Sequence, residues 1–159
     1  MKVDDCEFKL QVWDTMGQEK YRSVAKSFYR NAMGVFVVFD LTNVESFDNV
    51  RNWLYQAKKE AGENICKMII ANKKDLVEER QVSEEDIKEL LEELEGIEIM
   101  EVSAKTGENI NEAFMKIAKD IKKTFNLENK VSAPANQNIR LKRAEKEENM
   151  SGGCCLAKK

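Results

Sequence analysis

Asp14-Thr-Met-Gly17-Gln18-Glu19, Asn72-Lys-Lys-Asp75 and Ser103-Ala104-Lys105 each stand directly behind a stretch that reads as a strand. An Asp at a strand end can hold a water of a Mg²⁺ shell, and a Gly lets a backbone N–H approach a terminal phosphate. A Gln amide can both accept from and donate to an attacking water. A fixed carboxylate such as Asp75 can accept two hydrogen bonds, from the N1–H and the exocyclic amine of guanine, a pattern adenine lacks. Such a site rejects adenine by leaving its carboxylate unpaired. In the last cluster the Ala104 N–H can donate to guanine O6, and Ser103 can brace the Asp75 carboxylate. Each cluster alone has a plainer reading: Asp14 to Gly17 as a strand-ending turn, Asn72 to Asp75 as a charged surface turn, Ser-Ala-Lys as no signal. Their order and spacing argue otherwise, because 58 residues separate Asp14 from Asn72 and 31 separate Asn72 from Ser103, with a strand ahead of each.

The elements that position these clusters are legible from hydrophobic period. Glu7 to Trp13 alternates, with Phe8, Leu10 and Val12 against Lys9 and Gln11, and predicts a strand with one buried face. Val35–Phe39 and Met68–Ala71 are continuous β-branched or apolar runs, as expected for interior strands covered on both faces. Ile97 to Val102 supplies another strand. Phe47, Val50, Leu54 and Ala57 recur at helical spacing, and Ile87, Leu90, Leu91 and Leu94 do so behind the capping box Ser83-x-x-Asp86. A third helix follows Asn109-x-x-Glu112, its stripe made of Ile110, Ala113, Phe114, Ile117, Ala118 and Ile121. Alternating strands and helices predict a three-layer α/β domain with a mostly parallel sheet. Such sheets bind ligands at the carboxyl ends of their strands. Three of the four strand ends carry a cluster; the one after Phe39 does not.

Composition bounds the chemistry. The 159 residues are 42% hydrophobic and 35% charged, enough for one domain plus a tail. Lys and Arg number 26 against 29 Asp and Glu, which gives no nucleic-acid signature. With no histidine, Ser-His and Cys-His pairs and most zinc sites are excluded. The four cysteines, Cys6, Cys66, Cys154 and Cys155, form no disulfide framework and point to a reducing compartment. No apolar run is long enough to span a bilayer. Periodicity stops at Phe125, so residues 1–124 read as the domain and 125–159 as a flexible tail, with seven basic and four acidic side chains.

The segments Lys9-Leu-Gln-Val-Trp-Asp-Thr-Met-Gly-Gln-Glu19, Phe28-Tyr-Arg-Asn-Ala32, Val37-Val-Phe-Asp-Leu-Thr42, Asn72-Lys-Lys-Asp-Leu76 and Val102-Ser-Ala-Lys-Thr-Gly107 together resemble the Rab branch of the Ras-like small GTPases. The resemblance implies the three-layer Ras-like G domain of the P-loop NTPases, GTP and GDP with Mg²⁺ as cofactors, slow GTP hydrolysis, and a switch of vesicle traffic on the cytosolic face of endomembranes. By matching motif, Gln18 would orient the hydrolytic water, Gly17 would contact the γ-phosphate and Asp14 would sit behind Mg²⁺ waters. Asn72 and Asp75 would read guanine, with the stems of Lys73 and Lys105 against the base. Trp13 and Phe28 match aromatics that such proteins show to effectors, though core packing explains both equally. The implied partners are effectors, an exchange factor, a GTPase-activating protein and a GDP-dissociation inhibitor around a monomer, with no nucleic acid.

The sequence also departs from the family. G-x-x-x-x-G-K-[ST] occurs nowhere in these residues, and the family's first strand, that loop, the first helix and a Mg²⁺-binding Thr are all expected ahead of Met1. The reading is therefore of a G domain lacking its first strand and helix, with the Glu7 and Val35 strands left as unpartnered edges. Either a guanine-nucleotide switch, when full length, or a non-catalytic decoy for Rab partners fits. Met16 stands where a small Ala is usual. Cys154-Cys155 looks like a double geranylgeranylation site and membrane anchor, although Leu156 to Lys159 follow it; buried or metal-binding thiols are the alternative.

Overall fold

The computed structural model describes residues 1–4, 6–15, 29, 31–125, 127 and 155–156. Its centre is a parallel ladder. Strand β4 (Gly34–Asp40) pairs with β5 (Cys66–Asn72) from Gly34↔Cys66 to Asp40↔Asn72, and β5 pairs with β6 (Glu98–Glu101) from Met68↔Glu98 to Ala71↔Glu101. Alternate residues along these strands serve opposite faces. Val37, Phe39, Ile69 and Ala71 pack with Phe47 of α1 (Val44–Asp48), Val50 and Leu54 of α2 (Val50–Ala61), and Ile87 and Leu90 of α3 (Glu84–Glu93). Phe36, Met68 and Ile70 pack on the other face with Ala113, Ile117 and Ile121 of α4 (Ile110–Thr124). Gly34 permits this approach: a Cβ there would lie 2.9 Å from Ile121 Cδ1. The three layers are as the periodicity predicts, and so are the second and third helical stripes; the first, Phe47 to Ala57, is shared by two helices that break at Asn49.

Local differences have physical reasons. Ser83 and Asp86 form the expected reciprocal cap, with Asp86 N–H donating to Ser83 Oγ at 3.1 Å and Ser83 N–H to Asp86 Oδ2 at 2.9 Å. Asn109 does not cap α4 with its side chain; it takes a left-handed turn, φ 59°, and its Nδ2 donates to Glu101 O at 2.8 Å, tying the helix start to β6. Val38 is 49% exposed although its run reads as doubly covered, because the α4 cluster takes in Phe36 and not Val38.

The expected single strand from Glu7 to Trp13 is broken. β1 (Lys2–Val3) and β2 (Cys6–Glu7) form a small antiparallel hairpin, and only β3 (Val12–Trp13) joins the main sheet. Val3 is fully buried, and Lys122 Nζ of α4 meets Asp4 Oδ2 at 2.9 Å, so the hairpin is held against that helix. The open edges expected beside β3 and β4 are filled as well. β7 (Cys155–Leu156) lies between them, antiparallel to both, with Val12↔Leu156↔Gly34 and Trp13↔Cys155↔Val35 in register. The tail carries no strand period, but rows of free N–H and C=O groups accept any extended segment. The sheet order is β3-β7-β4-β5-β6. Among the described residues no helix is long and apolar enough to cross a membrane.

Candidate functional site

At the carboxyl ends of β5 and β6, beside the end of β4, the ladder runs directly into two of the loops that carry the motifs. Leu41 N–H donates to Asn72 O at 3.0 Å, and Val102 N–H to Ala71 O at 2.8 Å, so the strand ends stay level. Lys73 then turns left-handed, φ 65°, and Leu76 N–H closes the turn on Lys73 O at 2.9 Å. For a residue with a Cβ this backbone is uncommon, and here neighbouring bonds hold it. Asn72 Oδ1 accepts from Lys73 N–H at 2.8 Å and from Ala104 N–H at 3.0 Å. Ser103 Oγ donates to Asp75 Oδ1 at 2.6 Å and accepts from Thr106 N–H at 3.1 Å. Lys74 adds a backbone bond to Val102 O at 3.0 Å and an ion pair with Glu108. The two loops are thus stapled together by side chains of the motifs themselves.

Between them lies a cleft of about 310 Å³ lined by Asn72, Lys73, Asp75, Leu76, Ala104 and Lys105. Ser103, fully buried beneath it, is foremost in holding the Asp75 carboxyl below the usual carboxylate range, with help from the Lys105 charge 3.7 Å away. An ionised, acceptor-only group therefore borders an otherwise largely apolar slot, which suits a flat ring that offers adjacent N–H donors. The brace between Ser103 and Asp75 is present as expected. The Ala104 N–H differs from expectation: it is taken by Asn72 Oδ1, which sits between two backbone donors, so a base carbonyl would have to share that donor. A larger cleft of about 900 Å³ opens at the opposite strand ends. Among its charges Arg51 pairs with Glu93 and Lys116 with Glu98 and Asp120, and no described residue of the three motifs lines it.

None of the remaining sequence candidates that are described lines the cleft between the two loops. Trp13 is 39% exposed at the end of β3, with exposed Asp14 next to it. Gly17, Gln18, Phe28 and Cys154 lie outside the described residues, and Cys155 stands in β7. Tyr29 is buried with Val35, Ala57 and Ile65. No group of three or more metal-ligating side chains occurs among the described residues; Asp14, expected to act through water, needs no such group. Sequence reasoning missed Asp40, at the strand end without a cluster. Its Oδ1 accepts from Thr42 N–H at 2.9 Å and Thr42 Oγ1 at 2.7 Å, and its Oδ2 lies 2.6 Å from Lys73 Nζ. Asp-x-Thr reads as a local turn; only the register Asp40↔Asn72 brings it to the cleft.

Comparison with known proteins gives one consistent result. The family model described as "Ras family" matches residues 1–123. "Ras-related protein RABD1" of Arabidopsis thaliana is 43% identical over 158 residues, 98% of this chain and 75% of that protein. "GTP-binding protein ypt2" of Schizosaccharomyces pombe is 44% identical over 137 residues, 86% of this chain and 68% of that protein. "Ras-related protein Rab-8A" of Pongo abelii is 40% identical over 143 residues, 89% and 69% of the two chains.

Proposed function

Because this chain belongs to the Ras family, and within it is a Rab-type small GTPase, we propose that it is the base-reading body of a guanine-nucleotide switch in vesicle traffic. The observation that carries the reading is the stapled cleft, in which Ser103 presents an ionised Asp75 beside Asn72, Lys73 and Lys105. In it Asp75 accepts the N1–H and amine of guanine, while the two lysine stems sandwich the ring. Joined to a phosphate-gripping loop, the chain binds GTP or GDP and hydrolyses GTP; bound Mg²⁺ supplies charge neutralisation at the phosphates. Gln18 then orients the attacking water, the Gly17 N–H faces the γ-phosphate, and Asp14 holds waters at the metal. Without such a loop, residues 1–159 read the base and do not turn over. Trp13 and Phe28 face effectors, and exchange factor, GTPase-activating protein and GDP-dissociation inhibitor complete the cycle. With β7 released from the sheet, geranylgeranyl chains on Cys154 and Cys155 anchor the protein to the cytosolic face of endomembranes, where two chains together give stable attachment.

A chimera that carries the N-terminal residues of the fission-yeast relative ahead of Met1 tests the reading. It should hydrolyse GTP in Mg²⁺ on the order of 10⁻⁴ to 10⁻³ per second, the unaided rate of such sites, and Gln18→Leu should slow it. A folded chimera that binds no GTP contradicts the proposal. A second reading, a non-catalytic module that binds Rab partners, draws on the place of β7 between β3 and β4, which closes the sheet from within the chain, and on exposed Trp13. Cooperative melting of residues 1–159 with capture of a Rab effector, and no turnover in the chimera, would favour it.

A further inference from the structure

Lys73 is an unusual wall for a binding cleft, because a lysine stem is flexible and its ammonium prefers water. Here both ends are fixed. The backbone is locked left-handed at φ 65° between Asn72 Oδ1 and the Leu76 N–H, and Nζ lies 2.6 Å from Asp40 Oδ2 on the neighbouring strand. Asp40 is in turn held at three points: Oδ1 takes both the N–H and the hydroxyl of Thr42, and the Asp40 N–H donates to Ser46 Oγ at 3.0 Å, at the start of α1. The Asp40 side chain is 24% exposed and that of Lys73 48%, so the pair sits at the rim, neither buried nor fully hydrated. Asp40 ends β4 in register with Asn72, the last residue of β5, and Lys73 follows directly, which places the ion pair at the mouth of the cleft.

We propose that Asp40 is a positioning residue for base recognition: held by Thr42, its carboxylate ties down Lys73 and so presents the lysine stem as a fixed wall against the flat face of guanine. The inference rests on the guanine reading of the cleft and adds a residue that never touches the base. Burial by itself would raise the Asp40 pKa, but the hydrogen bonds from Lys73 and Thr42 together outweigh it and hold the carboxyl ionised below its ordinary range.

The test is a double-mutant cycle on the 159-residue chain with guanosine as the probe, followed by amide chemical shifts of residues 72–76 and 103–107. Asp40→Asn should weaken guanosine binding about two- to fivefold, the scale of a rim ion pair. In a Lys73→Met background, where the stem remains but the charge is gone, the same Asp40 change should cost nothing further. Thr42→Val should give a smaller loss of the same kind. The ratio of guanosine to inosine affinity, which reports on the carboxylate that meets the exocyclic amine, should not move in any of these variants. An equal loss from Asp40→Asn in both lysine backgrounds would overturn the positioning role, as would an unchanged affinity. Absence of saturable guanosine shifts in the unaltered chain would instead sink the guanine reading and this inference with it.

Discussion

At the residue scale the site depends on one buried hydroxyl. Ser103 is fully buried and serves two partners, as donor to Asp75 and acceptor from Thr106 N–H. Ser103→Ala removes both bonds and leaves that amide to find water across a partly buried turn. A loss of about 1 kcal/mol in stability is expected, a melting temperature lower by roughly 4 °C. The Asp75 carboxyl should at the same time titrate closer to its ordinary value, because its main hydrogen-bond donor has gone. Calorimetry of the variant and an NMR titration of its Asp75 carboxyl check the two effects separately, and an Asp75 that titrates as before would show that the brace is idle. Ser103 and Asp75 were legible from their types and their places behind predicted strands. Asp40 was not, since its partner Lys73 lies 33 residues away in the sequence and only strand register makes them neighbours.

At the element scale the parallel ladder and its helices follow the hydrophobic period closely, while the short strands do not. Long runs such as Val35 to Phe39 bury enough surface to fix their own register, and Ser83-x-x-Asp86 fixes a helix start by local bonds alone. β3 and β7 have two residues each, and their pairing depends on which segment reaches the gap beside β4, information that no local pattern contains. The pairing has a testable consequence. Leu156→Pro removes a backbone donor between Val12 and Gly34 and should open the ladder, at a cost of about 1 kcal/mol. Hydrogen exchange at the amides of Val12, Trp13 and Val35 should then speed up while that of β5 and β6 is unchanged. Equal protection in variant and parent would show that β7 contributes nothing to the sheet in solution.

At the scale of the whole molecule, electrostatics and base recognition meet in the carboxylates. Asp4, Asp40, Glu63, Asp75, Asp86 and Glu93 all sit below their ordinary values of 3.8 for Asp and 4.5 for Glu, through hydrogen bonds and charges present in the folded chain. Each binds its proton less readily folded than unfolded. Their contribution is therefore complete above the ordinary carboxylate values and drains away as the pH falls through the lower, folded ones. Thermal melts should be flat from about pH 7 to 5 and should decline below about 4; a stability that rises on acidification would contradict the assigned ion pairs. The most direct test of the account is the base preference itself. Asp75→Asn turns an acceptor into a donor opposite the N2 position of the base, where xanthine carries a carbonyl in place of the guanine amine. Titrating the unaltered chain and the Asp75→Asn variant with guanosine and with xanthosine should show guanosine preferred by the first and xanthosine by the second. Identical preference in both chains would mean that the cleft between Asn72 and Lys105 does not read guanine.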